Sequence, residues 1–236
     1  MLIGFIKALL VILVAIPYTF GALLGIPFQK NGEITHAMAR GWSKFILWLY
    51  GIRVHMKGAE NIQPGRNYVY AANHASMFDI PTVIGTIPDQ IRLVLKKELT
   101  RIPFWGWALK YGGYISIDRS NPIAAQKSLE AAAEKIRKGT SVLLFVEGTR
   151  TRDGKLQPFK RGAFALAAQS GIPILPVTIN NSYKILPKGS LKVRPQDIEL
   201  VIDKEIPTKG IDGKEAELKL MNAVRSIVEK NFAEQT

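Results

Sequence analysis

Only three histidines occur in the chain, and one of them has neighbours suited to acid–base chemistry. His74 lies in Asn73-His74-Ala75-Ser76-Met77-Phe78-Asp79, directly after an apolar run at residues 68–72. In open α/β sheets, ligands bind beyond the C-terminal ends of strands. On a continuous helix, five residues turn the chain about 140° past a full turn, so His74 and Asp79 would diverge. They meet only if the chain turns between them. Asp79 stands just before Ile80-Pro81, a combination that can begin a helix. Asp79 could then hold one imidazole nitrogen protonated and leave the other as a base. Spacing alone leaves a second and commoner arrangement open: Asp79 as a plain N-cap and His74 as a satisfied turn residue. His36, in an apolar helical stretch, and His55, in an edge segment, read as structural or surface residues.

Two further clusters end apolar runs. Phe145-Val146-Glu147-Gly148-Thr149-Arg150 places a carboxylate, a glycine and an arginine together, with Thr151, Arg152, Lys155, Lys160 and Arg161 close behind. Arginine grips phosphate bidentately, and glycine lets a backbone approach it. A solvated basic loop is the plainer alternative. The third cluster, Gly113-Tyr114-Ile115-Ser116-Ile117-Asp118-Arg119, again ends on an arginine, which could equally pair with a surface acid. Much is absent. There is no Gly-x-Ser-x-Gly elbow, no P-loop and no histidine pair at metal-binding helical spacing. With no cysteine in the chain, a thiol nucleophile, thiolate zinc and disulfides are all excluded. A base without an enzymic nucleophile implies that the substrate supplies the nucleophile.

The elements needed to position these groups are legible. Apolar runs at residues 68–72, 91–95, 114–117, 142–146, 174–179 and 199–202 read as strands, and their continuity suits burial on both faces. Helices fit between them. One is capped by Asn121 before Pro122 and closed by Gly139; another spans residues 162–169; a last one spans residues 214–232. This alternation predicts an α/β fold, a mostly parallel β-sheet flanked by helices, over residues 51–236. Residues 1–50 read as an apolar two-helix membrane anchor. Residues 8–28 carry no charge and are long enough to span a bilayer, but Pro17, Gly21, Gly25 and Pro27 predict an interrupted helix. Residues 34–50 follow, rich in Trp42, Phe45, Trp48 and Tyr50 with Arg40 and Lys44, a composition suited to the membrane interface. The pair reads as embedded in one leaflet or as a shallow hairpin. A single span stays open, and no clear cleavage site favours a signal peptide. A net charge of +13 favours anionic partners. Phospholipid fits both charge and N-terminus, whereas nucleic acid fits the charge alone.

Together the residues resemble the glycerolipid acyltransferase family typified by bacterial 1-acyl-glycerol-3-phosphate acyltransferases. Four blocks match in order: Asn73-His74-x-Ser76-x-x-Asp79, Gly113 to Arg119, Phe145-x-Glu147-Gly148-Thr149-Arg150, and Ile172-Pro173-Ile174-Leu175-Pro176-Val177. Lys96-Lys97-Glu98-Leu99 with Pro103-Phe104-Trp105-Gly106-Trp107 also looks like the family. The family usually has proline where this chain has Val146, so the Glu147 loop is expected to begin differently. The resemblance implies that His74 is the base and Asp79 its orienting partner. It places Arg119, Glu147, Gly148, Thr149 and Arg150 in the glycerophosphate site, with Lys96 a weaker candidate. It implies lysophosphatidic acid as acceptor, acyl-CoA or acyl carrier protein as donor, no bound cofactor or metal, and residence at the cytoplasmic face of the bacterial inner membrane. Other acceptors, such as glycerol 3-phosphate or another lysophospholipid, remain alternatives, as does a non-enzymatic basic lipid-binding adaptor.

Overall fold

The structure, a computed structural model, describes residues 2–118 and 120–233. Seven strands form one sheet: β1 (Val54–Lys57), β2 (Val69–Ala72), β3 (Ile91–Lys96), β4 (Ile115–Ile117), β5 (Ser141–Phe145), β6 (Ile174–Asn180) and β7 (Ile198–Ile202). Their order is β1-β7-β6-β2-β5-β3-β4. All paired strands run parallel except β6 and β7. The apolar runs therefore became strands within a residue or two of their expected bounds, and residues 54–57 add an edge strand.

Strand β2 shows why those runs are continuous. Tyr68, Tyr70 and Ala72 enter one apolar cluster, with helices α2 (Glu33–Tyr50) and α3 (Asp79–Thr86). Val69 and Ala71 enter another, with α5 (Pro122–Arg137), α6 (Arg161–Ser170) and α8 (Gly213–Asn231). Successive strand side chains point to opposite faces, so a strand covered on both sides needs apolar residues throughout. Two short helices, α4 (Trp105–Tyr111) and α7 (Ser182–Ile185), complete the framework.

The N-terminal helix departs from expectation. α1 (Leu2–Gly25) is continuous through Pro17, although the composition predicted an interruption. A proline removes one backbone donor, while the apolar residues on either side continue the ladder. Gly21 and Gly25 serve as contact points. A Cβ on Gly21 would meet Met38 Sδ at 2.9 Å, and one on Gly25 would meet Ile34 Cγ2 at 2.4 Å. On α2, a Cβ at Gly41 would meet the Tyr18 ring at 2.7 Å. Small residues let two helices approach closely. The Trp42 indole adds a bond to Val11 O at 3.2 Å. These pairings make α1 and α2 an antiparallel hairpin. The turn between them holds the short 3-10 segment Ile26–Phe28, where Pro27 does end the helix. Among the described residues α1 with this turn is the one helix long and apolar enough to cross a membrane, with a mean hydropathy of 2.4. α2 is shared between hairpin and domain: Ile46, Leu47 and Tyr50 are buried in the core, and Arg40 donates to Ile87 O.

Candidate active site

β2 and β5 are adjacent parallel strands, with Ala72 opposite Phe145. The segments leaving their C-terminal ends therefore lie side by side, and they carry His74 and Glu147. From His74 the chain turns and starts α3 at Asp79. The fully buried Asp79 carboxylate reaches back over that turn. Its Oδ2 accepts from the backbone N–H of Ala75 at 2.7 Å and of Ser76 at 2.9 Å, and lies 2.7 Å from His74 Nδ1. A carboxylate oxygen can only accept from these N–H groups, so Nδ1 is the donor, and in the neutral ring the lone pair falls to Nε2. The plain N-cap alternative does not hold: Phe78 stands at the N-cap of α3, and Asp79 instead pins the preceding turn and contacts the imidazole. The ring stacks on Phe145, 3.8 Å between centroids and 13° from parallel, with its side chain 14% exposed.

Glu147 holds the same turn from the other side. Its Oε1 accepts from the backbone N–H of His74 at 2.6 Å, and its Oε2 from that of Gln157 at 2.7 Å. The residue is 2% exposed. Burial pushes its carboxyl up to about 7, and the Asp79 charge adds to this, against the two backbone donors. The expectation that Glu147 lines the glycerophosphate site gives way here: its carboxylate faces inward, onto backbone. Val146, unlike a proline, donates its N–H to Ala72 O at 3.0 Å, so pairing with β2 runs one residue further. The turn still follows at once, with Gly148 at φ +74° and its N–H on Phe145 O.

Thr149 and Arg150 line a cleft of about 310 Å³ together with Arg152, Asp153, Gln157 and Lys188. The histidine turn does not line it but is tied to the same loop, since Thr151 N–H donates to His74 O at 3.0 Å. Three cationic side chains meet one carboxylate, Asp153, whose Oδ1 already accepts from the Thr151 hydroxyl at 2.7 Å and Lys155 N–H at 3.1 Å. Such a cleft favours an anion. Lys188 was not anticipated. It follows α7 and donates to Thr149 Oγ1 at 2.9 Å, while Ser76 Oγ donates to Leu186 O at 3.1 Å. One loop thereby ties the His74 turn to the Arg150 turn. No motif signals Lys188; a lysine beyond the fourth block is one of many in a basic chain.

The remaining candidates fall elsewhere. Lys96 ends β3, 3.5 Å from Glu98, and is not among the described residues lining the cleft. Arg161 pairs with Glu217 at 2.7 Å. Arg119 lies outside the described residues. His36 is a buried residue of α2 and His55 sits 3.0 Å from Asp197 on an exposed edge, both away from this centre.

A family model described as Acyltransferase matches residues 53–180, more than half of the chain and all four motif blocks. The chain belongs to the acyltransferase family. Within that family it is 35% identical over 214 residues to the 1-acyl-sn-glycerol-3-phosphate acyltransferase of Pseudomonas aeruginosa, covering 89% of this chain and 80% of the relative. It is 32% identical over 191 residues to a chloroplastic protein of that name from Brassica napus, covering 78% of this chain. The chain spans only 55% of that plant relative's length. The crystal structure of the 1-acyl-sn-glycerophosphate (LPA) acyltransferase PlsC from Thermotoga maritima superposes with a TM-score of 0.79 at 26% identity, covering 97% of this chain and 95% of that one.

Proposed function

We propose that the protein transfers a fatty acyl group from an acyl thioester to the sn-2 hydroxyl of 1-acyl-glycerol-3-phosphate, giving phosphatidic acid and a free thiol. The observation that carries this reading is the Asp79-oriented imidazole, Nδ1 to Oδ2 at 2.7 Å, beside a cleft with three cationic side chains. His74 Nε2 takes the hydroxyl proton as the oxygen attacks the thioester carbonyl. The tetrahedral intermediate collapses, the C–S bond breaks, and the thiolate leaves with the proton from the imidazolium. Asp79 stabilises that imidazolium while it lasts. Arg150, Arg152 and Lys188 hold the acceptor phosphate, with Thr149 and the Gly148 backbone shaping the same site. Glu147 acts through the His74 backbone as a positioning residue. Acyl-CoA and acyl carrier protein are both anionic and suit the basic surface equally.

The hairpin is read as embedding the enzyme in the membrane that holds its lipid acceptor, at the cytoplasmic face. A basic lipid-binding adaptor would need the membrane surface and the cationic cleft but not an oriented imidazole. The test is a donor-by-acceptor assay on purified protein in lipid, with mass detection of the product. Formation of phosphatidic acid that depends on His74 supports the proposal. Lipid binding without transfer to any hydroxyl acceptor would refute it.

A further inference from the structure

The aromatic segment that follows β3 is given no part in the proposed chemistry, yet it is tightly built. The 3-10 turn Lys97–Arg101 leads into Pro103 and α4. Phe104 holds a positive φ of 60°, costly for a bulky side chain. The strained turn is fixed from both sides. Gly106 N–H donates to Ile102 O at 2.8 Å, and Ala108 N–H to Phe104 O at 2.9 Å. Gly106 also lies so close to the preceding turn that a Cβ would stand 2.7 Å from Leu99 O. What this rigid turn presents outward is apolar: Ile102, Phe104, Trp107 and Tyr111 are 45%, 50%, 44% and 58% exposed. Single exposed apolar residues are ordinary, but a contiguous aromatic group is not.

Two observations indicate what covers it. The first is continuity. The Phe20 ring of α1 lies 5.9 Å from that of Phe104, which lies 5.1 Å from that of Trp107. The exposed apolar surface of α1 therefore continues onto the catalytic domain. The second is charge. Arg101 and Lys110 are exposed beside the aromatic group, and Lys96 stands at its start. Tryptophan and tyrosine with basic residues at their margin suit the boundary between head groups and acyl chains of an anionic bilayer.

We propose that residues 102–111 form a second membrane-contacting element, carried by the catalytic domain, which enters the head-group boundary of an anionic bilayer beside α1. It deepens the membrane-bound reading given above and rests on it. A domain held by one helix can pivot; contact at a second, rigid point fixes how the His74 face meets the leaflet.

The chain lacks cysteine, so single cysteines can be introduced and spin-labelled without background. Full-length Phe104→Cys and Trp107→Cys proteins are labelled in vesicles of phosphatidylethanolamine and phosphatidylglycerol, with Leu13→Cys in α1 and Lys138→Cys beyond α5 as references. The expected result is that labels at 104 and 107 gain oxygen accessibility and lose access to a water-soluble nickel chelate when lipid is added, as at 13 and unlike 138. Labels at 104 and 107 that stay as open to nickel as 138, while 13 is shielded, would overturn the second contact and leave the α1 reading standing. Exposure at 13 as well would overturn both. Shielding from both reagents without lipid would assign the surface to another copy of the chain and also overturn the proposal. As a functional arm, Phe104→Ser with Trp107→Ser is expected to lower transfer to long-chain lysolipid in vesicles several-fold and leave transfer to a short-chain soluble acceptor unchanged. Equal loss on both acceptors would mean that the turn supports the fold instead.

Discussion

At the scale of single residues, the proposed mechanism gives each polar group of the centre a distinct part. On the proposed mechanism His74→Ala removes the base and Asp79→Asn removes the charge that stabilises its cation, and loss of a general base costs about 10²–10⁴-fold in rate. Both variants are expected to fall by that order in single-turnover assays while keeping the wild-type circular dichroism. Glu147 is the more instructive case. The ionised form that accepts both backbone N–H groups is the form that burial disfavours. With a folded pKa of about 7 against an ordinary 4.5, the folded chain binds a proton that the unfolded chain has released across that window. Stability contributed at this site is therefore present at low pH and is lost as pH rises through about 7, by roughly 3 kcal/mol. Melting followed in detergent from about pH 5 to about pH 8 is expected to decline more steeply for wild type than for Glu147→Gln. The same variant sets a side-chain N–H against a backbone N–H, so kcat is expected to drop while the acceptor KM stays close to normal. A rise in acceptor KM alone would return Glu147 to the substrate site. If Arg150 and Lys188 hold the acceptor phosphate as proposed, Arg150→Ala and Lys188→Ala each remove a charge-assisted contact worth about 1.5–3 kcal/mol. Each is expected to raise the KM for lysophosphatidic acid about 10–100-fold, and to leave the donor KM unaltered.

At the scale of elements, the hairpin is the part whose construction differs most from its composition. Gly21 and Gly25 look like helix breakers in a single strand of text, but they admit the side chains of Met38 and Ile34. Gly25→Val forces branched carbon into a space that ends 2.4 Å from Ile34 Cγ2. Overpacking of this kind costs about 1–3 kcal/mol. Gly25→Val is therefore expected to melt earlier in detergent, whereas Gly4→Ala, with open space around it, should not. Equal melting of the two would show that α1 and α2 separate in detergent.

At the scale of the whole molecule, the N-terminal hairpin and the sheet are joined through the end of α2. Ile46, Leu47 and Tyr50 belong to the core under the sheet. Burying each such side chain contributes about 1.5–3 kcal/mol, and the three together approach a domain's entire stability. Removing residues 1–50 is expected to yield aggregated, inactive protein. Removing residues 1–28 is expected to leave a folded enzyme active on short-chain soluble lysolipid and weak on long-chain lysolipid in vesicles. Size-exclusion profiles with both assays distinguish these outcomes. For the intact chain, salt should weaken only the attraction of the basic surface to anionic lipid. Detergent, and not high salt, is expected to extract it, and complete release by salt would mean that α1 is not lipid-embedded.

The parts of this protein legible in its sequence are those with short-range causes. Val142 to Phe145 is apolar without a break because a strand covered on both faces permits nothing else, and Asn121 before Pro122 marks a helix start because of its own backbone chemistry. The histidine turn was legible as a candidate because strand, turn and helix start lie within a dozen residues. Tertiary structure decided whatever depends on neighbours distant along the chain. The antiparallel course of β7, the passage of α1 through Pro17 against α2, and the arrival of Lys188 beside Arg150 leave no local mark. Glu147 shows the limit most clearly. A glutamate in a basic, glycine-containing loop reads the same whether it faces a substrate or a backbone. Only the parallel pairing of β2 with β5, which brings His74 N–H to its carboxylate, determines which it does, because that bond joins residues 73 positions apart.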